Sequence, residues 1–287
     1  MFQTQEASRT LGEPVDLYLF TYGPGASDYY GYTDAETAIT LGTGLSARTY
    51  TPTAISRDAI KSSGTLDKSA LTVSTAGGNV IAELFRVYPP VQVVTLVIYQ
   101  GHIGDPDSEF LVIWSGRVLS CKRLHSEAEL TCEPIATSMK RSGLRRHYQY
   151  GCPHALYQGD ASGGCRALKA PATRATTVSA ISGARITLPT GWNGAFDKTK
   201  FRGGLAEWSG AGGAAEKRTI LQVNVATNEI TLSGGVRNLA VAGALNVILG
   251  CNHQMDDCQV LHNVINDFGG QPWIPTKNPI GNYNNYY

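Results

Sequence analysis

Short apolar runs, each closed within a few residues by Gly, Pro, Asp or Ser, follow one another along most of this chain. Val15, Leu17 and Leu19 alternate with Asp16, Tyr18 and Phe20 and stop at Gly23-Pro24-Gly25. A period of two belongs to a strand, because successive side chains leave opposite faces of a sheet. Tyr50–Ile55, Ala70–Ser74, Val91–Tyr99, Phe110–Leu119 and Glu127–Cys132 continue the series, rich in branched or aromatic residues. One helical spacing interrupts it: Val80, Ile81, Leu84 and Phe85 lie within Asn79–Tyr88, and Pro89-Pro90 stops the run. A single short helix among many strands predicts a barrel or sandwich and not a βαβ sheet.

The pattern changes after about residue 140. Lys140, Arg141, Arg145 and Arg146 form a basic cluster that reads as a solvated face. Residues 175–249 form a second β-rich stretch, with short strands around Val178, Ile186, Phe196, Ile220, Ile230 and Val247. Ile186-Thr187-Leu188 and Ile230-Thr231-Leu232 echo each other, too briefly to make a repeat. Glycines at Gly203-Gly204, Gly210–Gly213 and Gly234-Gly235 fit the tight turns of a small barrel. No Walker lysine or G-x-G-x-x-G helix start accompanies them, so no phosphate loop is indicated. Met255, Cys258, Leu261, Val264 and Ile265 predict a short amphipathic helix over Met255–Phe268, with Asp256 and Asp257 in its first turn and Gly269-Gly270 at its end.

Composition excludes several classes of function. Twenty-four Lys and Arg against 23 Asp and Glu leave a formal net charge of +1, without the surplus that non-specific nucleic-acid binding needs. The chain is too apolar, at 42% hydrophobic and 16% charged, for disorder. It nevertheless lacks a run of roughly 18 apolar residues that would cross a bilayer as a helix. The start Met1-Phe2-Gln3-Thr4-Gln5-Glu6 lacks the basic and apolar regions of a secretory signal, so synthesis in a cytoplasm is expected. Asp160, Asp256 and Asp257 are conceivable general acids, but no paired-carboxylate, Ser–His–Asp or H-E-x-x-H spacing supports catalysis. A non-enzymatic protein is expected.

Six cysteines fall into three pairs. Cys121 and Cys132 end successive strands and read as small core residues. Cys152 and Cys165 bracket one turn-rich loop, and Cys251 and Cys258 another. Neither pair has the C-x-x-C spacing of zinc ribbons or ferredoxins. Residues 175–249 lie between the pairs, so an inserted domain would return the chain to its starting point. Four thiolates could then meet around a metal or cluster; two local disulfides or unpaired thiols are the alternatives. His154 and His253, each two residues after a cysteine, also allow a mixed Cys/His zinc site.

The run Tyr150-Gly151-Cys152-Pro153-His154-Ala155-Leu156-Tyr157 closed by Cys165, with Gly250-Cys251 through Cys258, Asn263, Asn266, Phe268-Gly269-Gly270, Pro272 and Ile274-Pro275, resembles the tail-tip (baseplate) hub proteins of long-tailed bacteriophages. That family includes tail-tip protein L of phage lambda and the hubs of gene-transfer agents. Tyr32-Thr33, Tyr50-Thr51-Pro52, Ile55-Ser56-Arg57 and Trp114-Ser115-Gly116-Arg117-Val118 follow in the order such proteins have. Arg166 departs from the pattern, since relatives often carry glycine after the second cysteine.

The resemblance implies a structural virion protein at the tail tip, assembled in the host cytoplasm. It implies a homotrimeric ring joining a distal tail protein to the central tip protein that carries the receptor-binding apparatus. It also implies a [4Fe–4S] cluster on Cys152, Cys165, Cys251 and Cys258, with Cys121 and Cys132 outside the set. A Cys₄ site equally suits structural zinc. The expected architecture is mainly β: a barrel or sandwich hub domain over residues 1–140, and a cysteine-bearing segment formed by 141–174 and 250–287. A small β-barrel domain, 175–249, is inserted within that segment, and a short C-terminal helix lies beside the four cysteines. Other readings are a zinc-binding hub, an iron–sulfur redox or lyase enzyme, and a carbohydrate-binding tail module using Trp192 and Trp208 as exposed aromatics.

Overall fold

A computed structural model describes residues 2–8, 10, 12–23, 25, 28–61, 70–140, 143, 148–159, 164–210 and 215–275. The side chains of the basic cluster Lys140, Arg141, Arg145 and Arg146 lie outside the described set, as do Asp160 and residues 276–287. The chain divides into two compact units: Met1–Arg141 with Gly210–Glu216, and Ser142–Ser209 with Lys217–Tyr287.

The first unit holds a short N-terminal helix α1 (Phe2–Glu6) and nine strands. They are β1 (Pro14–Thr21), β2 (Tyr29–Thr33), β3 (Ile39–Leu41), β4 (Arg48–Pro52), β5 (Ile55–Arg57), β6 (Leu71–Ala76), β7 (Thr95–His102), β8 (Leu111–Leu124) and β9 (Glu127–Pro134). Their order in the sheet is β3-β4-β2-β1-β7-β8-β9-β6-β5. The predicted helix is the single stretch α2 (Val80–Leu84), whose N-cap Asn79 accepts the Ile81 N–H at 2.9 Å.

The alternation in β1 has a two-sided meaning, because both faces of this central strand are covered. Tyr18 and Phe20 join the main core with Leu71, Val73, Leu96, Ile98 and Leu130, while Leu17 and Leu19 pack with Tyr50 on the other face. Asp16 is the one charged residue in that run. Arg57 Nε donates to its carboxylate at 2.6 Å, and the Asp16 N–H donates to Asp34 Oδ1 at 2.9 Å.

The N-terminal motif residues meet in this sheet. Tyr32 and Thr33 lie beside Thr51 and Pro52 in the parallel β2–β4 pair. Arg57, from the third motif, is the partner of Asp16. In the fourth motif Arg117 pairs with Glu133, and Gly116 lies where any Cβ would strike the Glu133 carbonyl and the Trp114 ring.

Cys132 is fully buried in the core, and Cys121 packs against it from the rim. Their register keeps them apart, with Val118 opposite Cys132 and Cys121 opposite Leu130. Burial pushes the Cys132 thiol from its usual 9.0 up to about 12. Folding therefore favours the neutral thiol, so its contribution is complete below about 9 and fades as pH climbs towards 12. At pH 8 the native protein should leave Cys132 unalkylated by iodoacetamide while the half-buried Cys121 reacts. Equal labelling of the two would show that this core opens readily.

The second unit carries α3 (Lys169–Ala172) and a sheet built from β10 (Thr173–Thr177), β11 (Ala180–Ser182), β12 (Arg185–Thr187), β13 (Leu205–Ser209), β14 (Ala215–Asn224), β15 (Glu229–Leu232) and β16 (Ala244–Ile248). The order is β10-β16-β13-β14-β15-β12-β11. The echoing triplets sit side by side, with Ile186 opposite Ile230. Both join a core that includes Phe201, Ile220, Leu245 and Val247. Trp192 and Trp208 belong to that core at 5% and 4% exposure, and Trp208 Nε1 donates to Arg237 O at 2.8 Å. They are not the exposed sugar-stacking aromatics of the carbohydrate reading. Taken together the protein is mainly β, with curled sheets of the barrel or sandwich kind. Among the described residues no helix is long and apolar enough to cross a membrane.

Candidate metal centre

The register of one strand pair sets up the site. β10 and β16 run antiparallel with Thr173 opposite Ile248, and the Leu249 N–H continues the ladder to Ala172 O at 3.1 Å. The segment entering β10 and the segment leaving β16 therefore lie at the same end of the sheet. Cys165 sits on the first of these and Cys251 on the second. Gly204 and Gly250 cross backbone to backbone there: a Cβ on Gly250 would collide with Arg202 O, and one on Gly204 with Ile248 O.

Cys152, Cys165, Cys251 and Cys258 line one small cavity, together with His154, His253, His262 and Asp267. Cys152 is held against the distant segment by its N–H, which donates to His253 O at 2.8 Å, and by its C=O, which lies 3.0 Å from His253 Nδ1. His253 makes this pair of hydrogen bonds from a left-handed backbone, φ 60. Its own N–H points at Cys251 Sγ, 3.3 Å away, while the Gly269 N–H points at Cys152 Sγ at 3.4 Å. Amide hydrogens directed at sulfur favour the thiolate over the thiol. Cys258 donates to Val264 O at 3.2 Å.

The thiols feel one another. Burial first, then Cys152, Cys165 and Cys251, and last Asp267 push Cys258 up to about 11. Cys251 is raised by burial, with Asp257, Cys165 and Cys152 adding to it and the His253 N–H opposing. Tyr157 is raised too, by burial and then by Cys251 and Cys165, and its hydroxyl donates to Leu249 O at 2.7 Å. Among the described residues no group of three or more His, Cys, Asp or Glu is arranged to hold a metal ion. The donor set is nevertheless the four thiols a Cys₄ centre requires, on one cavity wall with amide donors aimed at two of them.

The amphipathic helix expected over Met255–Phe268 does not form as one helix. A π turn occupies Asp257–Leu261 and a separate 3-10 turn Ile265–Asp267, with Asn263 at φ 54 between them. The π turn aims Cys258 and Asp257 inward and leaves Val260 85% exposed. Placement of a side chain has overridden the helical period, as π turns at special sites often do. Asp257 does lie in the first turn of that element, but it is buried and paired with Lys200 at 2.6 Å.

Gly269 and Gly270 serve close approach and not helix ending. A Cβ on Gly269 would stand 2.6 Å from His154 Nε2, and one on Gly270 2.6 Å from Tyr150 O. Arg166, the departure from the family pattern, directs its guanidinium to Asp267, Nε to Oδ1 at 2.8 Å. The Asp267 carbonyl in turn lies 3.1 Å from His154 Nδ1. Gly269→Ala should displace either the His154 ring or the amide on Cys152. It should lower metal retention by about tenfold, the low end for supporting residues around a metal. Retention equal to wild type would show that this amide contributes nothing.

The sequence singles out the four cysteines, His154 and His253, and carries Tyr157 in the first motif run, but it does not mark Lys200, His262 or the structural use of Asp257. Gly203-Gly204 reads there as a tight turn and Gly250 as part of the second motif, so neither marks the crossing.

Comparison with known proteins follows the same residues. Residues 199–278 match a family described as phage conserved hypothetical protein BR0599. That span contains the Gly204–Gly250 crossing, Cys251, Cys258 and Gly269, but not Cys152 or Cys165. An uncharacterized protein of Xylella fastidiosa (strain 9a5c) is 25% identical over 167 residues; the match takes in 54% of this chain and 33% of that protein's length. In three dimensions the chain is similar to a chain from the virion of native gene transfer agent (GTA) particle. The TM-score is 0.72 at 16% identity, covering 96% of this chain and 92% of that one. Residues 199–278 thus resemble a conserved phage protein family, and nearly the whole chain shares its fold with a chain of a virion particle.

Proposed function

We propose that this chain is a structural hub protein of a phage-type tail tip, with Cys152, Cys165, Cys251 and Cys258 holding a [4Fe–4S] cluster. Three copies would form a ring between a distal tail protein and the central tip protein. The observation that carries the metal reading is the convergence of four thiols, from segments about a hundred residues apart, on one cavity. When bound, the cluster supplies four iron–thiolate bonds, a cross-link between the two segments.

The chain's own residues do the rest. The His253 and Gly269 amides stabilise negative sulfur, and Tyr157 and His262 hold the Leu249 and Gly250 carbonyls at 2.7 and 2.9 Å. A cube spreads its ligands over four irons, so its sulfurs stand further apart than those around a single zinc. The four thiols of that cavity suit either a cube or a single zinc, and the resemblance to iron–sulfur tail-tip hubs favours the cube. The role is structural and not enzymatic, with the site serving to fix one end of the second unit's sheet.

Anaerobically purified protein should be brown and contain roughly four iron and four sulfide per chain. Cys258→Ser should lose both, while Cys132→Ser, though less stable, should keep them. Stoichiometric zinc without sulfide would replace the cluster with structural zinc, and three essential cysteines with one dispensable would point to an open iron and an enzyme.

A further inference from the structure

We propose that Asp257 is a positioning residue of the four-cysteine centre, clasping the Cys251–Cys258 loop and setting beside it a negative charge that Lys200 balances. This rests on the reading of those cysteines as metal ligands.

Asp257 is only 5% exposed, and a buried carboxylate persists only when its oxygens are paired. Its Oδ1 accepts from Lys200 Nζ at 2.6 Å and its Oδ2 from the Asn252 N–H at 2.9 Å. One carboxylate thus joins the residue after Cys251 to the residue before Cys258. Lys200 closes the circuit from the other side, because its carbonyl accepts the Gly250 N–H at 2.8 Å. The far end of the loop is fastened as well: the His262 N–H donates to Asp257 O at 3.1 Å, and the His262 ring reaches Gly250 O at 2.9 Å. Both neighbours of Cys251 and the residue before Cys258 are held before any metal arrives.

Asparagine keeps a single acceptor oxygen and would turn its amide NH2 towards one of the two donors, so it retains only part of the clasp. A carboxylate satisfies both donors and adds a full negative charge one residue from Cys258. Next to four thiolates that charge is unfavourable unless neutralised. The ammonium of Lys200 does this, its own pKa raised chiefly by the bond to Asp257. The pair therefore has two separable effects, a mechanical one on the loop and an electrostatic one on the centre.

The test uses the full chain carrying Asp257→Ala, Asp257→Asn or Lys200→Met, each checked for native circular dichroism and reconstituted anaerobically with ferrous iron and sulfide. Asp257→Ala should weaken iron retention about 10–100-fold, and Asp257→Asn, which keeps one of the two acceptors, should recover part of that loss. The midpoint potential of the reconstituted centre should rise in Asp257→Asn and fall in Lys200→Met, a pair of opposite shifts that a purely mechanical role would not produce. In metal-free protein, Cys258 should be alkylated faster in Asp257→Ala than in wild type, with Cys132 unchanged. Unaltered iron retention and Cys258 alkylation in Asp257→Ala would overturn the clasp, and potentials that move together would overturn the charge role. If wild type takes up no iron and sulfide, the metal reading fails, yet the alkylation of metal-free Cys258 still decides whether Asp257 holds the loop.

Discussion

Gly250→Ala should prevent the second unit from folding, as a full loss of its cooperative transition in calorimetry or chemical denaturation. The added methyl would overlap Arg202 O and come within 2.8 Å of both Arg202 C and Gly204 N. These are backbone atoms, so no rotamer change relieves the clash. Relief would require the Arg202–Gly204 segment to leave the segment it crosses. That separates the Gly204 amide from Phe201 O, 3.0 Å away, and the Gly250 amide from Lys200 O, 2.8 Å away. Overpacking a core side chain costs about 1–3 kcal/mol, and a collision between main chains belongs to the exceptional class above about 4 kcal/mol. Neither glycine has the left-handed backbone that would otherwise explain it; the requirement is space alone. Gly204→Ala should behave alike. By contrast Gly183→Ala, where a Cβ meets nothing within 4 Å, should show only the modest cost of its positive φ. A Gly250→Ala protein with a normal second transition would mean that the crossing is looser than the structure has it.

If the four thiols hold the proposed metal, its removal should lower the melting temperature of the second unit by about 10–20 °C while leaving the first unit's transition in place. Structural metal sites contribute folding free energy directly, about 10–16 kcal/mol for zinc in small domains, because no preformed site exists in the unfolded chain. Here the second unit has its own core around Phe201, Ile220, Ile230 and Val247, so the sheet should survive and only part of that energy should appear. About 5 kcal/mol over a unit of this size corresponds to the stated shift. The first unit, with Tyr18, Phe20, Leu96 and Leu130 in a separate core and Cys132 outside the ligand set, provides the internal control. Scanning calorimetry before and after anaerobic chelation reads both. Identical traces would mean the four thiols do not hold a fold-stabilising metal.

Much of the fold was legible because strand period and turn residues are local signals. β1, β6, β8 and β9 lie where alternation and branched residues put them, and Asn79 caps the first of the two predicted helices. The helix at Met255–Phe268 failed for a physical reason: its periodicity is genuine, but Cys258 faces the four-cysteine cavity, Asp257 turns inward to Lys200, and Asn263 turns left-handed. Glycines were read through the freedom they give φ, whereas Gly116, Gly204, Gly250 and Gly269 are required by contacts with segments far away in the chain. Trp192 and Trp208 read from the sequence as core or turn residues before exposed aromatics, and both lie in the second unit's core.

Sequence by itself determined the mainly β class, the near-neutral charge, and the six cysteines from which four could be singled out. Each of these depends on residue type and near-neighbour spacing, which a chain carries before it folds. Tertiary structure alone decided that the four thiols share one cavity, that Lys200 pairs with the buried Asp257 to close the loop between two of them, and that paired glycines let two main chains cross beside them. Those outcomes turn on the Thr173–Ile248 register, a long-range pairing that brings residues 165 and 251 to one end of a sheet. No local pattern encodes such a pairing, because it is selected by the packing of the whole core.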